Sequence, residues 1–160
     1  MSRHRLLYVA GALALAVSCA AQAQVHDHAK HQSAGAVGDA RTAVKFPKAL
    51  RAHTLANMRD HLLALQEIQD AMARSEFDRA ATIAETRLGM SSLKLHGAQE
   101  VSKYMPDGMA RIGTEMHHAA SRFAVEAANA GASGDLKPAL AALSGITRQC
   151  VACHSGYRVQ

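Results

Sequence analysis

The stretch GDLKPALAALSGITRQCVACHSGYR, residues 134–158, decides how the rest of the chain is read. Leu136, Leu140, Leu143 and Ile146 recur at three and four residues, the spacing of one helical face. Asp135 stands where a helix N-cap is wanted, and Pro138 is tolerated in the first turn that follows. The apolar face runs straight into Cys150, Cys153 and His154, the three fixed residues of a C-x-x-C-H motif. On a helix, residues three and four apart share a side, so both thiols and the imidazole point the same way. Thiols add across the vinyl groups of a porphyrin, and a neutral imidazole is a good ligand for its iron. The motif is the attachment signature of a c-type haem. A zinc ribbon would need a second ligand pair, and a thioredoxin-like dithiol would need a neighbouring βαβ pattern; neither is present in the sequence. The expected cofactor is one covalent haem c.

The other end of the chain agrees. Arg3, His4 and Arg5 form a basic start, Leu6 to Ala21 is uncharged and apolar, and Ala21-Gln22-Ala23 is an A-x-A cleavage site. That order describes a secretory signal peptide over residues 1–23, with periplasmic export expected and no stable membrane insertion. A lipoprotein attached through Cys19 fits less well, because Ala16 stands where a bulky aliphatic residue is usual. Without Cys19 the remaining cysteines are the two of the motif, so no disulfide framework supports the domain. The formal charge of +5 includes Arg3 and Arg5, leaving a mildly basic exported chain. With no Lys/Arg run and only 4% aromatic residues to stack on bases, nucleic-acid binding is excluded. A mildly basic surface suits an acidic redox partner protein.

Residues 24–44 are polar and rich in Gly and Ala, carry His26, His28 and His31, and lack apolar periodicity; they read as a flexible arm. Residues 45–160 read as a single helical domain. The first helix opens at Pro47 and runs to about Ala73, with Leu55, Met58, Leu62, Leu65, Ile68 and Met72 as its stripe. Ser75 reads as the N-cap of a second helix carrying Phe77, Ala80, Ile83, Ala84, Leu88 and Leu95, which fades between Gly97 and Tyr104. Pro106 to Gly108 connect to a third helix with Met109, Ile112, Met116, Ala120, Phe123 and Ala127 inward, ending at Gly131. Gly131 to Gly134 form the turn into the last helix. Four such stripes joined by short loops predict an all-α, antiparallel four-helix bundle whose C-terminal helix carries the attachment motif. His117 and His118 are adjacent and face different ways, so they read as surface or rim. His96 reads as a residue at the end of the second helix, near its dipole.

This arrangement resembles the cytochrome c′ family, the four-helix class of c-type cytochromes. The likeness is sharpest over Gly134 to Arg158: the Gly134-Asp135-Leu136 start, the distance to Cys150, and then C-x-x-C-H-x-x-Y-R ending at Tyr157 and Arg158. It extends loosely from about Val44 onward. The resemblance implies a periplasmic monohaem protein, often a homodimer packed through its first two helices. It implies His154 as proximal ligand, with Arg158 beside the proximal face; Tyr157 is placed either to hydrogen-bond near the haem or to pack the bundle end. The distal face would be covered from the first helix. Relatives with a Leu there leave the iron open to NO or CO, and relatives with a Met fill the sixth position.

The first helix offers Leu55, Met58 and His61 for that place. A thioether and an imidazole can both ligate iron; an isobutyl group only covers it. Met58 lies on the stripe with Leu55 and Leu62, and His61 lies at its edge. The family often carries an Arg four residues before the distal position, and Arg51 would then select Leu55. The leading expectation is an electron carrier with His154 and Met58 as axial ligands and no enzymatic activity. The alternative is a five-coordinate gas-binding protein under Leu55. A peroxidase would need polar distal groups, and among the stripe residues His61 would have to act alone.

Overall fold

A computed structural model of the chain describes residues 38–160. The expected signal peptide, Cys19 and the three arm histidines lie outside the described residues. What is described is overwhelmingly helical: α1 (Lys48–Ala73), α2 (Phe77–Arg87), α3 (Ala98–Val101), α4 (Asp107–Ser133) and α5 (Lys137–Gly156). The all-α expectation holds with one addition. Two short strands, β1 (Thr42–Val44) and β2 (Tyr157–Val159), pair in parallel, with Ala43 opposite Arg158. The end of the expected flexible arm is therefore part of the fold.

The helix boundaries follow local chemistry. Pro47 and Pro106 occupy the positions just before α1 and α4, where the missing N–H deprives no helical bond. Gly134 ends α4 at a positive φ of 75°, and its N–H bonds the Ala130 carbonyl at 2.8 Å. Four boundary expectations are corrected. Gly131 is still helical, and Asp107 and Gly108 already belong to α4. Ser75 is not the N-cap of α2: it takes a left-handed φ of 59° in the turn, and Glu76 precedes the helix. α2 also stops at Arg87 instead of fading near Gly97. Gly89 is extended there, and two 3-10 turns, Met90–Ser92 and Ser102–Tyr104, flank the single turn of α3.

α1 and α2, joined by the tight turn at Arg74–Glu76, pack on each other, as do α4 and α5; α2 packs on α4 between these two hairpins. Alanine makes the close approach. Ala64 and Ala71 of α1, Ala80 and Ala84 of α2, Ala120 and Ala127 of α4 and Ala139 of α5 are fully buried, around Ile68, Leu88, Phe123 and Ile146. The expected leucine stripes are rotated relative to this seam. Leu62 is 67% exposed, Leu140 54% and Leu136 40%, because the helices meet at their small residues and the leucines fall beside the contact. Leu95 is 64% exposed because α2 has ended before reaching it. Among the described residues no helix is long and apolar enough to cross a membrane.

Candidate functional site

The last turns of α5 place the C-x-x-C-H motif between two cores. Cys150 is half-buried and leans on the alanine-rich core through α5. Cys153 packs one turn later into a second, smaller core of Val44, Phe46, Val101 and Met109, with Met105, Tyr157 and Val159 against it. That second core exists because β1 and β2 bring residues 42–44 under the end of α5. Arg41 reinforces the junction: it pairs with Asp39 at 2.7 Å and donates to the His154 carbonyl at 3.4 Å. Arg158 Nε stands 3.4 Å from the same Asp39 carboxylate, close enough for attraction but without the alignment of a hydrogen bond. Both thiols are free, and burial pushes each above its ordinary pKa, with the neighbouring Cys150 adding to the effect on Cys153. They are held as neutral thiols rather than thiolates.

Beside the motif lies a cavity of about 420 Å³, within the roughly 300–1,000 Å³ typical of cofactor sites. Cys153 and His154 line it from α5, and Tyr157 and Arg158 from β2. From α1 come Thr54, Leu55, Met58 and His61; from α4 come Met109, Gly113, Met116 and His117. His96, Val101 and Met105 complete the wall from the segment between α2 and α4. Most of this surface is apolar. Its polar side chains include a cluster of three imidazoles.

His61, His96 and His117 come from three elements and are each at most 8% exposed. Their ring centroids are 4.7 Å apart for His61 and His96, 5.4 Å for His96 and His117, and 6.4 Å for His61 and His117. Two of the rings are fixed by hydrogen bonds. His117 Nδ1 donates to the Leu88 carbonyl at 2.7 Å. The Ser92 hydroxyl donates to the Gly89 carbonyl at 2.7 Å, so it accepts from His96 Nδ1 at 3.4 Å. The His96 carbonyl in turn accepts from His53 Nε2 at 3.0 Å and Asn57 Nδ2 at 3.2 Å, pinning this segment to α1. His61 Nε2 and His96 Nε2 are buried and have no hydrogen-bond partner among the described residues; Thr54 Oγ1 is in the same state. Burial pushes the His61 pKa down to about 4, assisted by the two neighbouring rings. Burial lowers His96 and His117 as well. All three are therefore neutral near pH 7, the form in which an imidazole can ligate a metal. Among the described residues no group of three His, Cys, Asp or Glu side chains is arranged to hold a metal ion by itself.

Next to His61, Arg87 at the end of α2 binds Asp60 and Glu67 of α1, a half-buried clamp across the first hairpin. Its hydrogen bonds hold the Asp60 carboxyl below the usual carboxylate range.

Cys153, His154, Tyr157, Arg158, Leu55, Met58 and His61 thus line one chamber, while Cys150 is not part of its lining. Arg51 is exposed and does not line it; Arg41, from the supposed arm, does. His117 is a correction: it is buried in the wall, whereas His118 is exposed. His96 is a second correction, since no helix dipole ends at it. The signal for His117 was available: it lies three residues before Ala120, on the face that buries Ala120 and Phe123. His96 had no comparable signal, because the irregular path from Leu88 to Met105 has no period to read. In chemical terms the cavity combines a largely apolar wall with thiol, thioether and imidazole side chains. Comparison of the chain with protein-family models, with curated proteins and with solved structures finds no match.

Proposed function

We propose that the chain is an exported, periplasmic monohaem cytochrome similar to the cytochrome c′ family, acting as an electron carrier rather than an enzyme. One haem c would be held through thioethers from Cys150 and Cys153, with His154 as proximal ligand. The observation that carries this reading is that the motif opens onto a cofactor-sized cavity: Cys153 and His154 line the chamber whose other walls include Met58 and His61. The donor set fits. Both thiols are free of disulfides, the chamber wall is largely apolar, and two buried imidazole nitrogens, His61 Nε2 and His96 Nε2, have no hydrogen-bond partner among the described residues.

When bound, the haem would supply a reversible one-electron couple. The chain's own residues do the rest. Met109, Met116 and Val101 keep water from the chamber and lower its dielectric. Arg41 and Arg158 place positive charge beside it, suited to carboxylates. The two hairpins support an antiparallel four-helix bundle of α1, α2, α4 and α5, with α3 part of a connection. A redox partner protein would dock on the mildly basic surface, and a second copy of the chain on the first two helices, where Leu62 and Leu63 are exposed. A second reading is a gas-binding protein, and what favours it is that Leu55 also lines the chamber and cannot ligate.

The test is expression with the signal peptide in a host that attaches haem in its periplasm. The expected product is red, retains one haem per chain after denaturation, and loses it in Cys150→Ala and Cys153→Ala. A colourless product whose two motif thiols remain open to alkylation overturns the proposal. A ferrous form that ignores CO supports the carrier; one that binds CO supports the second reading.

A further inference from the structure

We infer that His61, rather than Met58, supplies the sixth iron ligand, making the centre bis-imidazole with His96 and His117 as the wall that positions the ring. The inference rests on the haem reading above and goes further, naming the residue that fills the distal place and hence the redox character of the carrier.

Three observations carry it. First, His61 lines the cavity, and its Nε2, covered by the surrounding side chains, has no hydrogen-bond partner among the described residues. A buried polar atom left unpaired is unfavourable and calls for an ion, water or ligand to satisfy it. A thioether has no such need, because Met58 packs equally well as an ordinary apolar side chain. Second, the other two imidazoles are tied down through Nδ1, to the Leu88 carbonyl and to Ser92, whereas His61 has no side-chain hydrogen bond among the described residues. Its ring is the one that no hydrogen bond ties down. Third, His96 and His117 stand against it, at centroid distances of 4.7 and 6.4 Å, and confine it laterally. The α2–α4 segment that carries His96 is itself fastened to α1 by His53 and Asn57. The three rings do not form an ion site on their own; an iron already held by His154 needs only one of them.

The experiment uses the full matured protein. The wild type is expected to be low-spin in both oxidation states, without the near-infrared charge-transfer band that marks methionine on ferric haem, and with the electron paramagnetic resonance pattern of two imidazoles. His61→Gly should become high-spin and bind CO, with haem content unchanged, and free imidazole should restore the low-spin spectrum. His61→Met should stay low-spin and raise the midpoint potential, as methionine ligation does. Met58→Leu should keep the wild-type spin state. A wild type showing the methionine band or binding CO overturns the inference, and so does a spin change in Met58→Leu that His61→Gly lacks. Because the wild-type spectrum decides by itself, a variant that fails to fold does not rescue the idea. Absence of covalent haem would overturn the parent reading, and this one with it; a haem protein with the wrong distal signature overturns this one alone.

Discussion

The two ends of the helical core are built on opposite plans. Toward the α1–α2 and α4–α5 turns the helices meet at fully buried alanines and close around Phe123, Ile68 and Ile146. Toward the end of α5 the facing residues are methionines and histidines, and the helices enclose about 420 Å³ instead of touching. Both ends bury apolar surface; they differ in whether the side chains fill the space between backbones. Small residues let one half close, and the large, soft and polar residues of the other half line the space that remains. The closed half sets the helix positions, and the open half inherits them as the walls of a chamber.

Phe123 should break the comparison most severely. It is fully buried in the closed half, so Phe123→Ala is expected to cost about 3–5 kcal/mol, read as a lower midpoint in chemical denaturation. Equal loss from removing a methionine of the chamber wall would mean that both halves are packed alike. The second largest effect is electrostatic and belongs to the open half. The folded-state pKa of His61 lies below its unfolded value, so the unfolded chain binds the extra proton as pH falls from 6.5 to about 4. Stability should be flat above that window and decline within it by on the order of 3 kcal/mol from this residue. The check is denaturation of a haem-free Cys150→Ala/Cys153→Ala variant across the window, with and without His61→Leu; an acid response that ignores His61 would sink the assignment.

How much of this was readable in advance depended on whether a period or a motif carried it. α1, α4 and α5 came from apolar repeats, and the motif from two thiols and an imidazole at fixed spacing. The rotation of the seam toward alanine did not, because hydropathy rewards leucine while close helix packing rewards small side chains. That is why Leu62 and Leu140, both on apolar stripes of the sequence, stand outside. The β1–β2 pair lay hidden because three residues at each end of the domain show no alternation until they are brought together. His96 reaches the chamber through an irregular segment whose path is set by Gly97 in a left-handed turn and by bonds to α1. Such a path has no sequence period.

Two smaller effects sharpen the contrast. Arg87 joins α2 to Asp60 and Glu67 of α1 at the boundary between the halves and is 22% exposed. Arg87→Met should cost about 1–2 kcal/mol, more than a typical surface ion pair because two acidic groups lose their partner. High salt should shrink that difference in parallel denaturation curves. Met116→Leu in the chamber wall should change stability by less than about 1.5 kcal/mol, since the volume is kept and the adjoining space is open. A larger loss would place Met116 with the closed half.

The strand pair at the base of the motif has a consequence for the order in which the domain assembles. Thr42 and Tyr157 stand at opposite ends of the described chain, and contacts of that separation form late, after helical hairpins have closed through their short turns. Until the two strands zip together, the second core is incomplete and Cys153 lacks the cover of Val44 and Phe46. The nascent domain would then pass through a stage with scaffold formed and thiols accessible. On the haem reading proposed above, attachment would fall in that interval, and the final pairing would end it.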